Sequence, residues 1–158
     1  MHPSAQKVAQ AAQELGLAIE VVEFAETTRT APDAANAIGC HVAQIVKSLL
    51  FLVDGRPMLV LVSGANRLDE AKLAALCGTA PQNVKRADAE TAKTVTGFAV
   101  GGIPPFGHTS PLPTYIDADL IGFPVVWAAA GTPHSVFAIT PHDLIRATKG
   151  IIADLKTE

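Results

Sequence analysis

A single lysine interrupts an otherwise apolar segment and is the first candidate for chemistry. Lys47 lies within IVKSLLF, where its neighbours are mostly aliphatic or aromatic. A lysine at such a position either reaches solvent along its aliphatic stem or points into a polar pocket. In the second case, its ammonium group can bind a phosphate or a carbonyl oxygen. The sequence pattern alone leaves both alternatives open.

The second candidate is a glycine–proline loop, GFAVGGIPPFGH, over residues 97–108. Glycine lets a ligand approach the backbone closely, and proline fixes the shape of a loop without needing a hydrogen bond of its own. Such a loop can present backbone N–H groups to a carbonyl oxygen on which negative charge develops. It has neither the GK[ST] of a Walker loop nor a GxGxxG turn. A long irregular connection is the structural alternative, although loops this long and constrained are usually functional.

Three further positions have residue types that suit a binding site. The segment GTPHS, residues 131–135, lies between two apolar segments and is either a turn or the wall of a pocket. Thr30 is explained as a helix cap, whereas its neighbour Arg29 is a candidate for contact with a phosphate. His108, within the glycine–proline loop, is the one histidine that we single out.

Other common catalytic arrangements are not indicated. The five histidines show neither HxxxH nor HExxH spacing, and Cys40 and Cys77 form no CxxC motif, so we expect no metal and no cofactor. Ser63 and Ser135 lack the GxSxG context of a hydrolase nucleophile. Cys40 is followed directly by a histidine, but burial is the expected fate of this thiol.

The elements that must position these residues are helices mixed with hairpin-like strands. The predicted helices cover residues 4–15, 30–39, 66–78, 88–94 and 140–150. The predicted strands cover residues 19–24, 46–53, 58–63, 114–117, 124–130, 134–140 and 151–155. There is no regular βαβ alternation, so the pattern favours an α+β fold of mixed α and β content. We expect a mixed or mostly antiparallel sheet that can close into a barrel, with helices around it.

Composition and charge limit the possible partners. With 158 residues, the chain has the length of one domain, so we treat residues 1–158 as a single domain. Charged residues make up only 17%, below the share of about 25% typical of soluble domains. This composition excludes intrinsic disorder and suggests that a partner or a second copy covers some apolar surface. It therefore permits a homodimer without requiring one.

Location and nucleic-acid affinity follow from the same data. No window of 18 consecutive apolar residues occurs, so we expect no membrane partner. The N-terminal segment lacks the basic head and apolar stretch of a secretory signal, so the cytoplasm is the expected location. The formal net charge is −3, so a nucleic-acid partner must be held by a local cationic patch.

Three motifs occurring in this order resemble the YbaK/EbsC family: IVKSLLF, GFAVGGIPPFGH, and WAAAGTPHSVF followed by TPHDL. Members of that family are free-standing relatives of the editing domain inserted in bacterial prolyl-tRNA synthetase. The resemblance extends over roughly residues 4–155. It implies a compact fold around a mixed, barrel-like sheet. It also implies hydrolysis of the ester bond between a wrong amino acid and its tRNA.

The resemblance also assigns roles to residues. The signature lysine of the family falls on Lys47, and its glycine-x-x-x-proline loop falls on Gly101 to Pro105. We expect the amides of Gly101 and Gly102 to stabilise the oxyanion, each donor being worth roughly 3–4 kcal/mol. Lys47 would anchor the terminal phosphate or orient the ester, and water or a hydroxyl of the terminal adenosine would attack. The implied substrate-binding residues are Thr30, Ser63, Pro105, Gly107, His108, Gly131 and His134.

The implied substrate is a mischarged tRNA carrying a small amino acid. Alanine, serine and threonine are preferred in that order, with cysteine behind. One methyl or hydroxyl changes binding in an apolar pocket by only about 1–3 kcal/mol, so the sequence does not single out one of them. The implied partners are the acceptor end of tRNA and, as a further candidate, an aminoacyl-tRNA synthetase. Two alternatives stay open: a non-catalytic module that binds tRNA or a synthetase, and an esterase of small molecules. An intact Lys47 together with an intact glycine–proline loop favours the deacylase.

Overall fold

The structure, a computed structural model, describes residues 1–25 and 30–158 and contains two β-sheets. Arg29, one of the candidates above, lies outside the described residues. The strands are β1 (Val21–Glu23), β2 (Val46–Val53), β3 (Arg56–Ser63), β4 (Val84–Arg86), β5 (Thr114–Asp117), β6 (Val126–Ala129), β7 (Ser135–Ile139) and β8 (Ile151–Ala153). The larger sheet has the order β4-β2-β3-β5-β8, and the smaller has the order β1-β7-β6.

In the part of the chain that the structure describes, five α-helices pack around these sheets, and local capping signals set their ends. They are α1 (Pro3–Glu14), α2 (Ala31–Ile38), α3 (Glu70–Leu76), α4 (Ala89–Thr96) and α5 (Pro141–Thr148). The predicted cap at Thr30 is confirmed, because its hydroxyl accepts from the N–H of Asp33 at 3.2 Å. The predicted cap of α1 at Ser4 is wrong, since the His2 ring accepts from the N–H of Ser4. No described helix is long and apolar enough to cross a membrane.

The β2–β3 hairpin forms the centre of the larger sheet, as the sequence predicts. Asp54 and Gly55 connect the strands with positive φ angles of 51° and 78°. A two-residue turn with both φ angles positive matches the twist of paired antiparallel strands. In this hairpin, Lys47 lies opposite Val62.

The sheets are mixed but open. β5 pairs in parallel with both β3 and β8, whereas β2 pairs antiparallel with β3 and β4. The two sheets meet at an isolated bridge between Ile45 and Trp127. Among the described residues, the strands form two open sheets, so the α+β prediction is confirmed and its barrel is not.

Both faces of the larger sheet are buried. One face, which includes Leu59 and Leu61, packs into the main core with residues of α1, α5 and the smaller sheet. The opposite face, which includes Phe51 and Val62, packs against Leu73 of α3. Burial on both sides explains why the two hairpin strands are apolar at nearly every position.

Candidate functional site

A cavity of about 590 Å³ lies beside the part of β2 that contains Lys47. β4 pairs with β2 at residues 51–53, and Ile45, directly before β2, bridges to Trp127 of β6. The wall combines apolar and cationic side chains, which suits a ligand with a small apolar part and an anionic part. The lining residues include, from six segments of the chain, Thr30, Lys47, Ser48, Gly64, Arg67, Arg86, Gly101, Ile103, Trp127 and Ala128.

Lys47 is half-buried in the wall of this cavity. Its ammonium donates a hydrogen bond to the main-chain oxygen of Asn66. Burial lowers the pKa of Lys47 from its ordinary value, the negative charge of Asp117 opposes this shift, and the positive charge of Arg86 adds to it. Lys47 therefore lines a pocket while its ammonium is hydrogen-bonded to the main chain.

Two arginines extend the positive charge of the cavity wall. Arg67 and Arg86 line it, are exposed, and have no carboxylate within ion-pairing distance among the described residues. Glu70 is the one acidic residue in the described lining. The ion pairs of the described residues lie elsewhere: Lys72 with Asp154 and Glu158, Arg146 with Asp143, and Lys156 with Asp119. A local cationic patch thus exists on a chain of net negative charge.

The glycine–proline loop brings one of its two predicted amides to the cavity. Gly101 lines the cavity with a φ of 94°, a conformation that favours glycine. No acceptor for the Gly101 N–H lies within hydrogen-bonding distance among the described residues. The N–H of Gly102, in contrast, donates to the oxygen of Ala99 at 3.0 Å. The expectation of two oxyanion donors is therefore corrected to one, because the second amide is already bonded.

The last part of the loop, residues 104–108, does not line the cavity. The ring of His108 hydrogen-bonds the main-chain oxygen of Pro104 at 2.7 Å, and burial lowers the pKa of His108. Pro105 is buried, and Gly107 lies so close to α1 that an added Cβ would be 2.8 Å from Ala11. These three predicted substrate-binding residues therefore stabilise the loop through contacts within it and with α1.

Of the other predicted binding residues, one lines the cavity and three do not. Thr30 lines the cavity while it caps α2. Ser63 is buried, and its hydroxyl donates to the oxygen of Ala43 at 2.7 Å. Gly131 is buried against the backbone of α1, and His134 is exposed in the turn between β6 and β7. Neither of these last two residues nor Ser63 lines the cavity, because their positions face the core or the solvent.

A polar network that the sequence did not predict lies behind Lys47. The side-chain amide of Asn66 donates to Asp117 at 2.9 Å and to Asp119 at 2.8 Å. Lys156 donates to Asp119 at 2.9 Å. The sequence signal was an aspartate ending an apolar strand in TYID, a position at which a buried charge needs partners.

The described residues offer a second unassigned feature. The hydroxyl of Ser48 is buried without a hydrogen-bond partner among them, and Ser48 is part of the cavity wall. A polar group of a ligand can satisfy such a hydroxyl. For metals, residues 1–25 and 30–158 contain no cluster of three or more His, Cys, Asp or Glu side chains suited to hold an ion.

Comparison with known proteins identifies the family. Residues 25–147 match the model of the aminoacyl-tRNA editing domain. The chain belongs to the aminoacyl-tRNA editing domain family. A solved structure described as a proposed trans-editing enzyme for prolyl tRNA synthetase is 46% identical. It superposes with a TM-score of 0.94 over 100% of this chain and 99% of the other. The family resemblance read from the three motifs is thereby confirmed.

Curated relatives of this editing domain include a protein of similar length and a much longer enzyme. YwhH of Bacillus subtilis, described as uncharacterized, is 29% identical over 79% of this chain and 78% of its own length. Proline--tRNA ligase of Elusimicrobium minutum is 33% identical over 92% of this chain. That match covers only 25% of the ligase, so the editing domain corresponds to about a quarter of the larger enzyme.

Proposed function

We propose that this editing domain is a trans-editing deacylase, which hydrolyses the ester bond of a mischarged tRNA carrying a small amino acid. The observation that carries the proposal is that Lys47 and Gly101, whose N–H has no acceptor among the described residues, line the same cavity. The two groups come from separate elements, a strand and a loop. A module that only bound tRNA would not need both groups in one wall.

The chemistry requires little covalent participation by the protein. Water, oriented by a neighbouring hydroxyl of the terminal adenosine, attacks the ester carbonyl and gives up a proton. The bond from this carbon to the ribose oxygen breaks, and the free amino acid is released. The ribose oxygen takes up a proton, which leaves an unacylated tRNA hydroxyl. The Gly101 N–H stabilises the negative charge that develops on the carbonyl oxygen. Lys47 orients the ester or holds the terminal phosphate.

Selection of the amino acid falls to the apolar part of the wall. Ile103, Trp127 and Ala128 surround the space near Lys47. A difference of one methyl group changes binding in such a pocket by only about 1–3 kcal/mol. Alanine, serine, threonine and cysteine therefore remain the candidate amino acids, in that order. The Ser48 hydroxyl offers a hydrogen bond to a polar group of the bound aminoacyl moiety.

The proposed partner is the acceptor end of a tRNA for proline. Arg67 and Arg86 are exposed at the cavity without carboxylate partners among the described residues, which suits contact with a few phosphates. The choice of proline tRNA rests on the relatives, one described as acting for prolyl tRNA synthetase and another as a proline--tRNA ligase. A synthetase is the proposed second partner.

A deacylation panel tests the proposal. Proline tRNA charged with alanine, serine, threonine, cysteine or proline is offered to the wild type, to Lys47→Ala and to Lys93→Ala. Lys93 is exposed on α4 and does not line the cavity, so its variant is the matched control. We expect rapid loss of one or two mischarged species with the wild type and the control, and none with Lys47→Ala.

The other outcomes identify the alternatives. Binding of charged tRNA without loss of any amino acid would contradict the deacylase and indicate a binding module. Hydrolysis of simple amino-acid esters without activity on charged tRNA would instead indicate a small-molecule esterase. Equal activity of Lys47→Ala and the wild type would overturn the role given to the lysine.

A further inference from the structure

A buried carboxylate lies at the end of β5, beneath the cavity wall. Asp117 is 1% exposed. Its Oδ2 accepts from the N–H of Ser63 at 3.0 Å and from the amide of Asn66 at 2.9 Å, and its Oδ1 accepts from the N–H of Asp119 at 3.0 Å. Burying a carboxylate is costly unless its oxygens are bonded in this way. The proposed reaction assigns this group no direct contact with substrate.

Asp117 belongs to the same face of the sheet as Lys47. Lys47 is opposite Val62 in β3, and the preceding residue of β3, Leu61, is opposite Ile116 in β5. The row across the three strands therefore runs from Lys47 through Val62 to Asp117. This row places one positive and one negative group on the same face, two strands apart.

Asn66 connects the two charged groups. Its main-chain oxygen accepts from the Lys47 ammonium, and its side-chain amide donates to Asp117. The same amide donates to Asp119, which Lys156 pairs at 2.9 Å. Because the side chain is held at both carboxylates, the direction of the Asn66 carbonyl is fixed as well.

We propose that Asp117 is a positioning residue, which acts through Asn66 to hold the Lys47 ammonium in place and charged at the cavity wall. In what it says about deacylation, this inference rests on the proposed function. Burial and Arg86 lower the pKa of Lys47, and Asp117 raises it. The other charged groups at the same cavity are Arg67 and Glu70. Among the acidic groups of the described residues, Asp117 is the one whose charge raises the pKa of Lys47.

The test replaces the carboxylate with an amide of the same shape, Asp117→Asn. We expect the pKa of Lys47, measured by NMR on protein with labelled lysine side chains, to fall below its wild-type value. The alkaline limb of the pH profile for deacylation moves to lower pH by the same amount. kcat falls on the order of tenfold to a hundredfold, with KM changed much less, because the ammonium is displaced from its productive position.

Asp88→Asn is the matched control. Asp88 is exposed and caps α4, and asparagine caps helices as well as aspartate does. This variant should leave the Lys47 pKa, the pH profile and kcat unchanged. A second variant, Asn66→Ala, keeps the main-chain acceptor and the charge of Asp117 but removes the amide link, so it should lower kcat with KM changed much less and with little shift of the Lys47 pKa. It decides the question if Asp117→Asn does not fold.

The measurements separate failure of the inference from failure of the proposed function. A folded Asp117→Asn protein with the wild-type Lys47 pKa and pH profile would overturn the positioning role, even if the wild type deacylates tRNA. A wild type that deacylates no tRNA, combined with a shifted Lys47 pKa in the variant, would overturn the function and leave the coupling established.

Discussion

The backbone of Gly131 packs against the backbone of Gly102 and hydrogen-bonds to it. The N–H of Gly131 donates to the oxygen of Gly102 at 2.9 Å, and an added Cβ at Gly102 would lie 2.8 Å from the carbonyl group of Gly131. This contact attaches the glycine–proline loop to the turn between β6 and β7. Gly102 and Gly131, which the sequence placed in the site itself, therefore fix the position of Gly101 in the cavity wall.

Replacing Gly102 with alanine should destabilise the protein. A Cβ there contacts rigid backbone rather than a movable side chain, so we expect a loss of about 1–3 kcal/mol in urea unfolding. Gly122→Ala is the control, because a Cβ at Gly122 would meet no atom within 4 Å. Equal unfolding free energies for the two variants would show that the loop can shift away from Gly131 without loss of stability.

Replacing Lys47 with methionine should abolish deacylation without loss of stability. Because the pKa of Lys47 is lowered in the folded state, the unfolded chain holds that proton more tightly. The charged lysine therefore reduces stability below its lowered pKa, and this cost is relieved as pH rises from that value to the ordinary value of 10.5. Between pH 7 and 10, the free energy of unfolding should rise with pH, and this rise should be larger in the wild type than in Lys47→Met. A variant less stable than the wild type at pH 7 would contradict this prediction.

The buried His108 should make the protein less stable in mild acid. Burial lowers the pKa of His108, so protons bind the unfolded chain first as pH falls below the ordinary value of about 6.5. The wild type should lose unfolding free energy between pH 7 and 5. His108→Gln keeps an amide near Pro104 without titrating, so its loss over the same range should be smaller. Parallel pH curves for the two proteins would exclude this role.

Removing either cavity arginine should weaken tRNA binding and its salt dependence. If Arg67 and Arg86 each contact one phosphate, each alanine variant should reduce the slope of log K against log salt by about 1. Arg56→Ala is the control, because Arg56 is exposed next to the β2–β3 turn and does not line the cavity. The measurement is binding of uncharged tRNA at several salt concentrations, and an unchanged slope in both cavity variants would place the tRNA elsewhere.

Features specified by neighbouring residues could be predicted from the sequence. Asp54 and Gly55 between two apolar segments predicted the central hairpin, and Thr30 with Asp33 predicted the start of α2. In each case, the hydrogen bonds or torsion angles that decide the structure join residues close in the sequence. The same reasoning selected Lys47, because a charge within an apolar strand is recognisable without knowledge of the fold.

Features that depend on distant pairing could not be predicted. β4 is a short strand with two exposed charged residues, and the parallel pairing of β3 with β5 joins separate regions of the chain. Loop composition indicated a constrained backbone but not which residues face the cavity. Gly101 and His108 were therefore treated alike, although only the first lines the cavity. Asn66 was overlooked because its partners, Asp117 and Asp119, are far away in sequence.

The residues that position Lys47 are synthesised at different times, which affects when the site can form. Lys47 and Asn66 belong to the hairpin and the segment after it, whereas Asp117 and Lys156 are synthesised much later. The hairpin can form from local contacts while the chain is still growing on the ribosome. A nascent or C-terminally shortened chain would thus contain the central strands of the fold, but Lys47 would lack the network that includes Asp117 and Lys156.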